Sequence, residues 1–227
     1  MMTLWLGILI SLGVAGACVW AFYELAEDFE TSEAVARFDE RADDWVDGWQ
    51  RPWLTWIMKA FTYLGGIFGV AILTTVLFLV LIVLHRPAEA RNTAMLVIGG
   101  TVIANGVKPF LKRVRPPEDE QLIEQPKSAS FPSGHSMGSM CLAFAAIEAI
   151  LAAPTVTTPI KVIVIIACLA YAVMVGLSRI YLGAHWPSDV LAAWLLAVAW
   201  VVGATGLNLL LTETTRVLEP IIGRALD

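Results

Sequence analysis

Four stretches of this chain contain no charged side chain: Thr3–Tyr23, Leu64–Leu84, Val162–Ser178 and Val190–Thr212. At about 1.5 Å of rise per helical residue, each covers all or most of a hydrocarbon core roughly 30 Å thick. A backbone inside lipid must satisfy its own hydrogen bonds, so such runs become helices. Across the 227 residues 58% are apolar and 15% charged, against about a quarter charged in an average soluble domain. That balance excludes a disordered chain, a collagen, a disulfide-rich secreted scaffold and an ordinary nucleic-acid binder.

Charge-free length and the breaks between runs give six spans: Thr3–Tyr23, Ala60–Leu84, Asn92–Leu111, Gly134–Ala153, Ile160–Ser178 and Pro187–Leu211. The expected fold is all-α, an integral membrane bundle of six transmembrane helices forming a single membrane domain over residues 1–227, without a soluble domain or an internal repeat. Span three carries Gly99, Gly100, Asn105, Gly106 and Pro109, and it is expected to pack inside the bundle. Span four is rich in small residues, which let helices approach closely in lipid, so it too is expected to be central. Cys18, Cys141 and Cys168 lie in apolar runs and read as small buried hydrophobes, with no disulfide framework. Ala15-Gly16-Ala17-Cys18 faintly resembles a cleavage or lipidation site, but no positive side chain precedes it and the apolar run continues, so neither is expected.

The net charge of −5 is a local property. Residues 24–59 hold ten acids and four bases, a balance of −6, and the remainder is +1. Within that loop Val35, Phe38, Ala42, Trp45 and Trp49 recur at steps of three and four between mostly charged residues, the pattern of an amphipathic helix at a membrane interface. Pro52 is a natural first residue for a further helix. Trp45, Trp49, Trp53 and Trp56 form an aromatic belt at headgroup level. The loop reads first as an interfacial brace, and second as a lid or lipid gate.

A charge within a span costs roughly 2.5–3.5 kcal/mol at mid-helix on insertion scales, so the polar residues retained there need a reason. They gather at four span ends. Lys108, with Lys112, Arg113 and Arg115, closes span three; Ser133-Gly134-His135 opens span four; Ser178-Arg179 closes span five; His185 and Asp189 open span six. Serpentine threading puts all four ends, with the long loops 24–59 and 112–133, on one face. Several cations, two histidines and a carboxylate then share a pocket suited to an anion, with Arg matched to bidentate phosphate contacts. Ser133-Gly134-His135 follows Pro132 at a helix start, where free N–H groups favour phosphate; by itself this could be an ordinary cap. His185 and Asp189 are four apart, so the carboxylate can hold one ring nitrogen and leave the other nucleophilic, with His135 available as an acid. The same three side chains could ligate zinc, but no His-x-x-x-His or thiolate pairing supports that and the surrounding cations oppose it. His85 reads as a polar interfacial residue, Lys112 and Arg113 as interfacial anchors or headgroup contacts, and Glu148 as a snorkelling or protonated structural residue facing away from the site.

Lys108-x6-Arg115-Pro116, Pro132-Ser133-Gly134-His135 and Ser178-Arg179-x5-His185-x3-Asp189 match, at eleven fixed positions and in order, the three signature motifs of the type 2 phosphatidic acid phosphatase superfamily. The chain resembles its small bacterial lipid phosphate phosphatases. The motifs span residues 108–189, and the six-span layout extends the likeness to nearly the whole chain. The resemblance implies metal-independent dephosphorylation of a membrane lipid phosphate or pyrophosphate through a phosphohistidine. It implies His185 as nucleophile, Asp189 as its orienter and His135 as the acid, with Lys108, Arg115, Ser133, Gly134 and Arg179 holding phosphate. No cofactor, metal, nucleic acid or obligate protein partner is implied; the partners are the lipid substrate and the bilayer. It also implies a cell-membrane location with the amphipathic segment and the site extracytoplasmic and both termini cytoplasmic. Loop charge argues the other way. The motif face holds ten Lys/Arg and the opposite face five, which the positive-inside rule would make cytoplasmic. Several of the ten are site residues, so the resemblance is followed. Two rivals remain: a phosphotransferase using the same site with another acceptor, and a non-catalytic lipid-binding or transport protein. Substrate identity is expected to reside in residues 24–59 and 117–131 and in helix faces.

Overall fold

A computed structural model describes residues 2–28, 32–117, 121–124 and 128–226. Eight helices occur in it: α1 (Met2–Asp28), α2 (Glu33–Asp47), α3 (Pro52–Gly65), α4 (Ile67–Val83), α5 (Pro87–Leu111), α6 (Gly134–Leu151), α7 (Thr158–Tyr181) and α8 (Pro187–Leu226). No strand occurs among the described residues. Five helices are long and apolar enough to cross a membrane, and the pair α3–α4 makes a sixth as one span broken by a 61° bend. The chain is a multi-pass membrane protein. Glu30 and Lys127 of the charge comparison, and the side chains of Asp28, Asp47, Arg216 and Arg224, lie outside the described residues, as do positions 118–120 and 125–127 of the 117–131 segment.

The small residues of α6 make it the centre. Over half of its apolar window is buried, against 22% for α5 and 17% for α7. Met137, Cys141, Leu142 and Ala145 of α6 meet Leu96 and Val97 of α5, Ala172 of α7, and Ala193 and Ala197 of α8 in one core. Span three is less interior than its glycines suggested. Gly99 and Gly100 give α5 one close-packed face, where an added Cβ would lie 2.2 Å from the Trp200 ring and 2.5 Å from Cys141 Sγ. Its other face leaves Ile98, Val102 and Phe110 exposed to lipid.

Span two also departs from the reading as one continuous helix over Ala60–Leu84. It begins at Pro52 and breaks between Gly65 and Ile67. Gly65 packs directly on Val175 of α7, where a Cβ would lie 2.2 Å from the valine side chain, and the extended backbone at Gly66 ends α3. The last span, read as ending at Leu211, continues as helix to Leu226, and Thr212, Thr214 and Thr215 return their hydroxyls to carbonyls four residues earlier.

The described parts of the two long loops meet on one side, as serpentine threading requires. Leu122 N–H donates to Leu182 O, and Arg51 N–H to the Tyr181 hydroxyl. Val46 of α2, Met58 of α3 and Leu182 form a second, smaller apolar cluster there. The amphipathic segment is α2. Trp45, Trp49, Trp53 and Trp56 are all exposed, and the opposite face of α2 turns toward α7 and α8. The three cysteines are free.

Candidate active site

Four helix ends deliver the motif side chains. The Pro187 start of α8 puts Asp189 in the first helical turn, one turn after His185, and both are buried (0% and 3% exposed). Asp189 Oδ2 lies 3.1 Å from His185 Nδ1. It also accepts from the Trp186 backbone N–H at 3.1 Å and from the Ser130 hydroxyl. Arg115 Nη1 faces the far ring nitrogen, Nε2, at 3.3 Å. A guanidinium can only donate and a carboxylate can only accept, so Nδ1 carries the proton and Nε2 the lone pair. Burial first, then the Arg179, Arg115 and Lys108 cations, hold the His185 imidazole well below its ordinary range. The ring is therefore neutral, with an available nitrogen aimed at cations.

Those cations are fixed by neutral acceptors. Lys108 Nζ donates to Ala129 O at 2.9 Å. Arg115 donates to Ser128 O at 3.0 Å and Ala184 O at 2.7 Å. Arg179 is buried and donates to the Thr62 hydroxyl of α3. These carbonyls and hydroxyls orient the three cations toward one place, and converging cations suit an anion. Ser133 is the N-cap of α6, its Oγ taking hydrogen bonds from Ser136 N–H and Oγ. A Cβ built on Gly134 meets nothing within 4 Å, so a ligand can approach the amide end of α6 closely. His135, in the first turn of α6, has its Nε2 3.4 Å from the Cβ position of Gly66, at the bend between α3 and α4.

The structure thus gathers Lys108, Arg115, Arg179, His185 and Asp189 directly, with Ser133, Gly134 and His135 at the α6 end. It corrects the reading of Arg113 as an anchor. Lys112 ends α5 in the left-handed conformation (φ 45°), and the reversal carries Arg113 inward to a site where it is only 9% exposed. There it pairs with Asp189 Oδ1 and Asp39 Oδ2, each at 2.7 Å. Lys112 stays exposed. Sequence reasoning also missed Ser130, Thr62 and Asp39. For Asp39 a signal existed: Val35-x3-Asp39-x2-Ala42-x3-Val46 is one helical stripe with a carboxylate in an otherwise apolar row. Among the described residues no three His, Cys, Asp or Glu side chains are grouped as a metal ligand set. Glu148 finds its partners far from the site, accepting from Asn92 Nδ2 at 2.6 Å and Thr205 Oγ1 at 2.8 Å.

Comparison with known proteins gives the family. The PAP2 superfamily matches residues 64–210, more than half of the chain. The chain belongs to the PAP2 superfamily. It is 33% identical over 159 residues to phosphatidylglycerophosphatase B of Bacillus subtilis, an alignment covering 66% of this chain and 72% of the relative. It is 36% identical over 80 residues to undecaprenyl-diphosphatase of Sulfolobus acidocaldarius, covering 35% of this chain and 34% of that one. Among solved structures, the transmembrane PAP2-type phosphatidylglycerolphosphate phosphatase of B. subtilis superposes with a TM-score of 0.77 at 26% identity, covering 86% of this chain and 95% of that one. Aquifex aeolicus LpxE superposes at 0.56 with 25% identity, covering 73% and 92%. This PAP2 member is a lipid phosphate hydrolase of the membrane.

Proposed function

We propose that the chain removes a terminal phosphate from a membrane lipid phosphate or pyrophosphate, without metal, through a phosphohistidine on His185. The observation that carries this is the buried His185 ring, with Nδ1 held by Asp189 and Ser130 and Nε2 directed at Arg115. Lys108, Arg115 and Arg179 receive the phosphate oxygens, with the α6 amides at Ser133 and Gly134. They stabilise charge as the phosphoryl group transfers, which is most of what this reaction asks of a protein. The Nε2 lone pair forms the N–P bond as the P–O bond to the lipid breaks, and His135 gives its proton to the departing oxygen. Water then attacks phosphorus with His135 as base, the N–P bond breaks, and inorganic phosphate leaves with His185 neutral again. Asp189 keeps Nδ1 protonated and supports positive charge on the ring during transfer.

The relatives' names favour phosphatidylglycerol phosphate or a polyprenyl diphosphate as substrate, and phosphatidic acid presents the same chemistry. Phosphate release from these three lipids by the purified protein, with and without EDTA, tests the reading. Release that persists in EDTA and is lost in His185→Ala supports it; release that requires added metal contradicts it. The site lies on the extracytoplasmic face with both termini cytoplasmic, and labelling of a cysteine placed in α2 from either side of intact cells checks that. Transfer to a lipid or sugar hydroxyl in place of water would use the same residues, and product analysis with such acceptors separates the two.

A further inference from the structure

Phosphate chemistry accounts for Lys108, Arg115 and Arg179, but it leaves two buried charges without a task. Arg113 matches no motif position, and Asp39 belongs to α2, which carries no motif residue. Yet Asp39 is only 2% exposed and both of its oxygens are engaged. Oδ1 accepts from Ser188 backbone N–H at 2.9 Å; Oδ2 accepts from Ser188 Oγ and Arg113 Nη2, each at 2.7 Å. Arg113 spreads its fork across two carboxylates, with Nη1 on Asp189 Oδ1 at 2.7 Å and on Ser188 Oγ at 2.6 Å. Its guanidinium carbon lies 5.8 Å from the Trp186 ring centre. A continuous chain of contacts therefore runs from α2 to the nucleophile: Asp39, Arg113, Asp189, His185.

The reason for such a chain lies in carboxylate geometry. The terminal torsion of an aspartate is broad, so Asp189 needs a hold on Oδ1 if Oδ2 is to stay on His185 Nδ1. Arg113 supplies that hold. An arginine beside a lone carboxylate, however, favours the bidentate arrangement that takes both oxygens. Such a pairing would compete with His185 and Ser130 for Oδ2. Asp39 gives the second arm of the fork its own acceptor and keeps Arg113 on one oxygen of Asp189. Resting on the phosphohistidine reading above, we infer that Asp39 is a positioning residue for the reaction, and that α2 is thereby part of the nucleophile's support as well as an interfacial brace.

Kinetics can separate positioning from simple folding. Among the described residues, the charged and titratable groups around His185 are Lys108 from α5, His135 from α6, Arg179 from α7, Asp189 from α8, Arg113 and Arg115 from the segment after α5, and, one contact beyond Arg113, Asp39 from α2. Removing the Asp39 charge makes this set more positive, which disfavours protonation of His185. With dioleoyl phosphatidic acid in detergent micelles as the probe, Asp39→Asn lowers kcat about tenfold, the low end of the loss for groups directly supporting a ligand because Arg113 and Asp189 stand between, with KM changed by less than about threefold. The acid limb of its kcat profile moves to lower pH, and Asp39→Glu, which keeps the charge, recovers part of the loss. Arg113→Lys, which keeps the charge but not the fork, loses kcat in the same way and provides a second route should Asp39→Asn fail to fold. Wild-type kcat in Asp39→Asn overturns the inference. So does a loss matched by a proportionate fall in phosphoenzyme burst amplitude with an unmoved acid limb, since that is a loss of folded sites. If His185→Ala retains activity, the phosphohistidine reading itself fails, an outcome distinct from either of these.

Discussion

At the loop end of the bundle four cations, Lys108, Arg113, Arg115 and Arg179, surround two carboxylates, Asp39 and Asp189. Near the other end of α6 a single carboxylate, Glu148, has each oxygen closed by a neutral donor, Asn92 or Thr205. Both are polar clusters in a protein made mostly of apolar side chains. The second is self-contained: its hydrogen bonds tie α5, α6 and α8 together and occupy both carboxylate oxygens. The first holds, among the described residues, four cations to two carboxylates, beside a histidine nitrogen turned toward Arg115. Charges kept at the ends of membrane spans are costly and mark functional sites by default. Functional charge in this chain is therefore recognised by several charged groups converging on one histidine, and not by burial alone.

Mutation should break that contrast unequally. Removing a phosphate-binding cation has the largest effect: Arg179→Met lowers kcat/KM for lipid phosphate release by about 10³-fold, the low end for a transition-state arginine. Ser130→Ala removes a hydroxyl that bonds both Asp189 and His185, and it lowers kcat about tenfold with KM nearly unchanged, the equivalent of roughly 1.4 kcal/mol. A value equal to wild type would mean that Asp189 and Arg113 orient the ring unaided.

Acid should also distinguish the site through stability. His185 is neutral when folded and takes up a proton near pH 6.5 when unfolded. Between its depressed folded value and 6.5 the unfolded chain binds more protons, so stability rises with pH and is lost as pH falls below 6.5. The slope is at most about 1.4 kcal/mol per pH unit for this group. Thermal unfolding in detergent at pH 7.5 and 5.5 measures it, and His185→Gln should flatten the dependence. The smallest effect belongs to the closed cluster. Glu148→Gln should change kcat less than about twofold, because a neutral amide there can still accept from Asn92 or Thr205. A large loss of kcat in this variant would dissolve the distinction between the two clusters.

Much of this contrast can be read along the chain. Charge-free length gives the spans, and the motif residues stand at span ends because helices carry them to one face. What could not be read depends on contacts between distant elements or on local backbone reversal. Arg113 turns inward because Lys112 adopts φ 45°, a conformation no pattern of charges announces. Asp39 meets Ser188 across 149 positions, and Thr62 meets Arg179 across 117. The break at Gly65–Gly66 reflects the approach of Val175, and α5 shows lipid one face despite its glycines because those glycines serve only the other. Glu148 was legible as structural, but its partners come from helices whose rotation the sequence does not set.

The central claim is that His185 Nε2 bears the phosphoryl group. Its most direct test is to quench the purified protein at alkaline pH during turnover of a ³²P-labelled lipid phosphate in EDTA, and to map the labelled residue. The account predicts acid-labile, alkali-stable label on His185, absent in His185→Ala and retained in Glu148→Gln. Undiminished turnover by His185→Ala, or label on a residue other than His185, would contradict it.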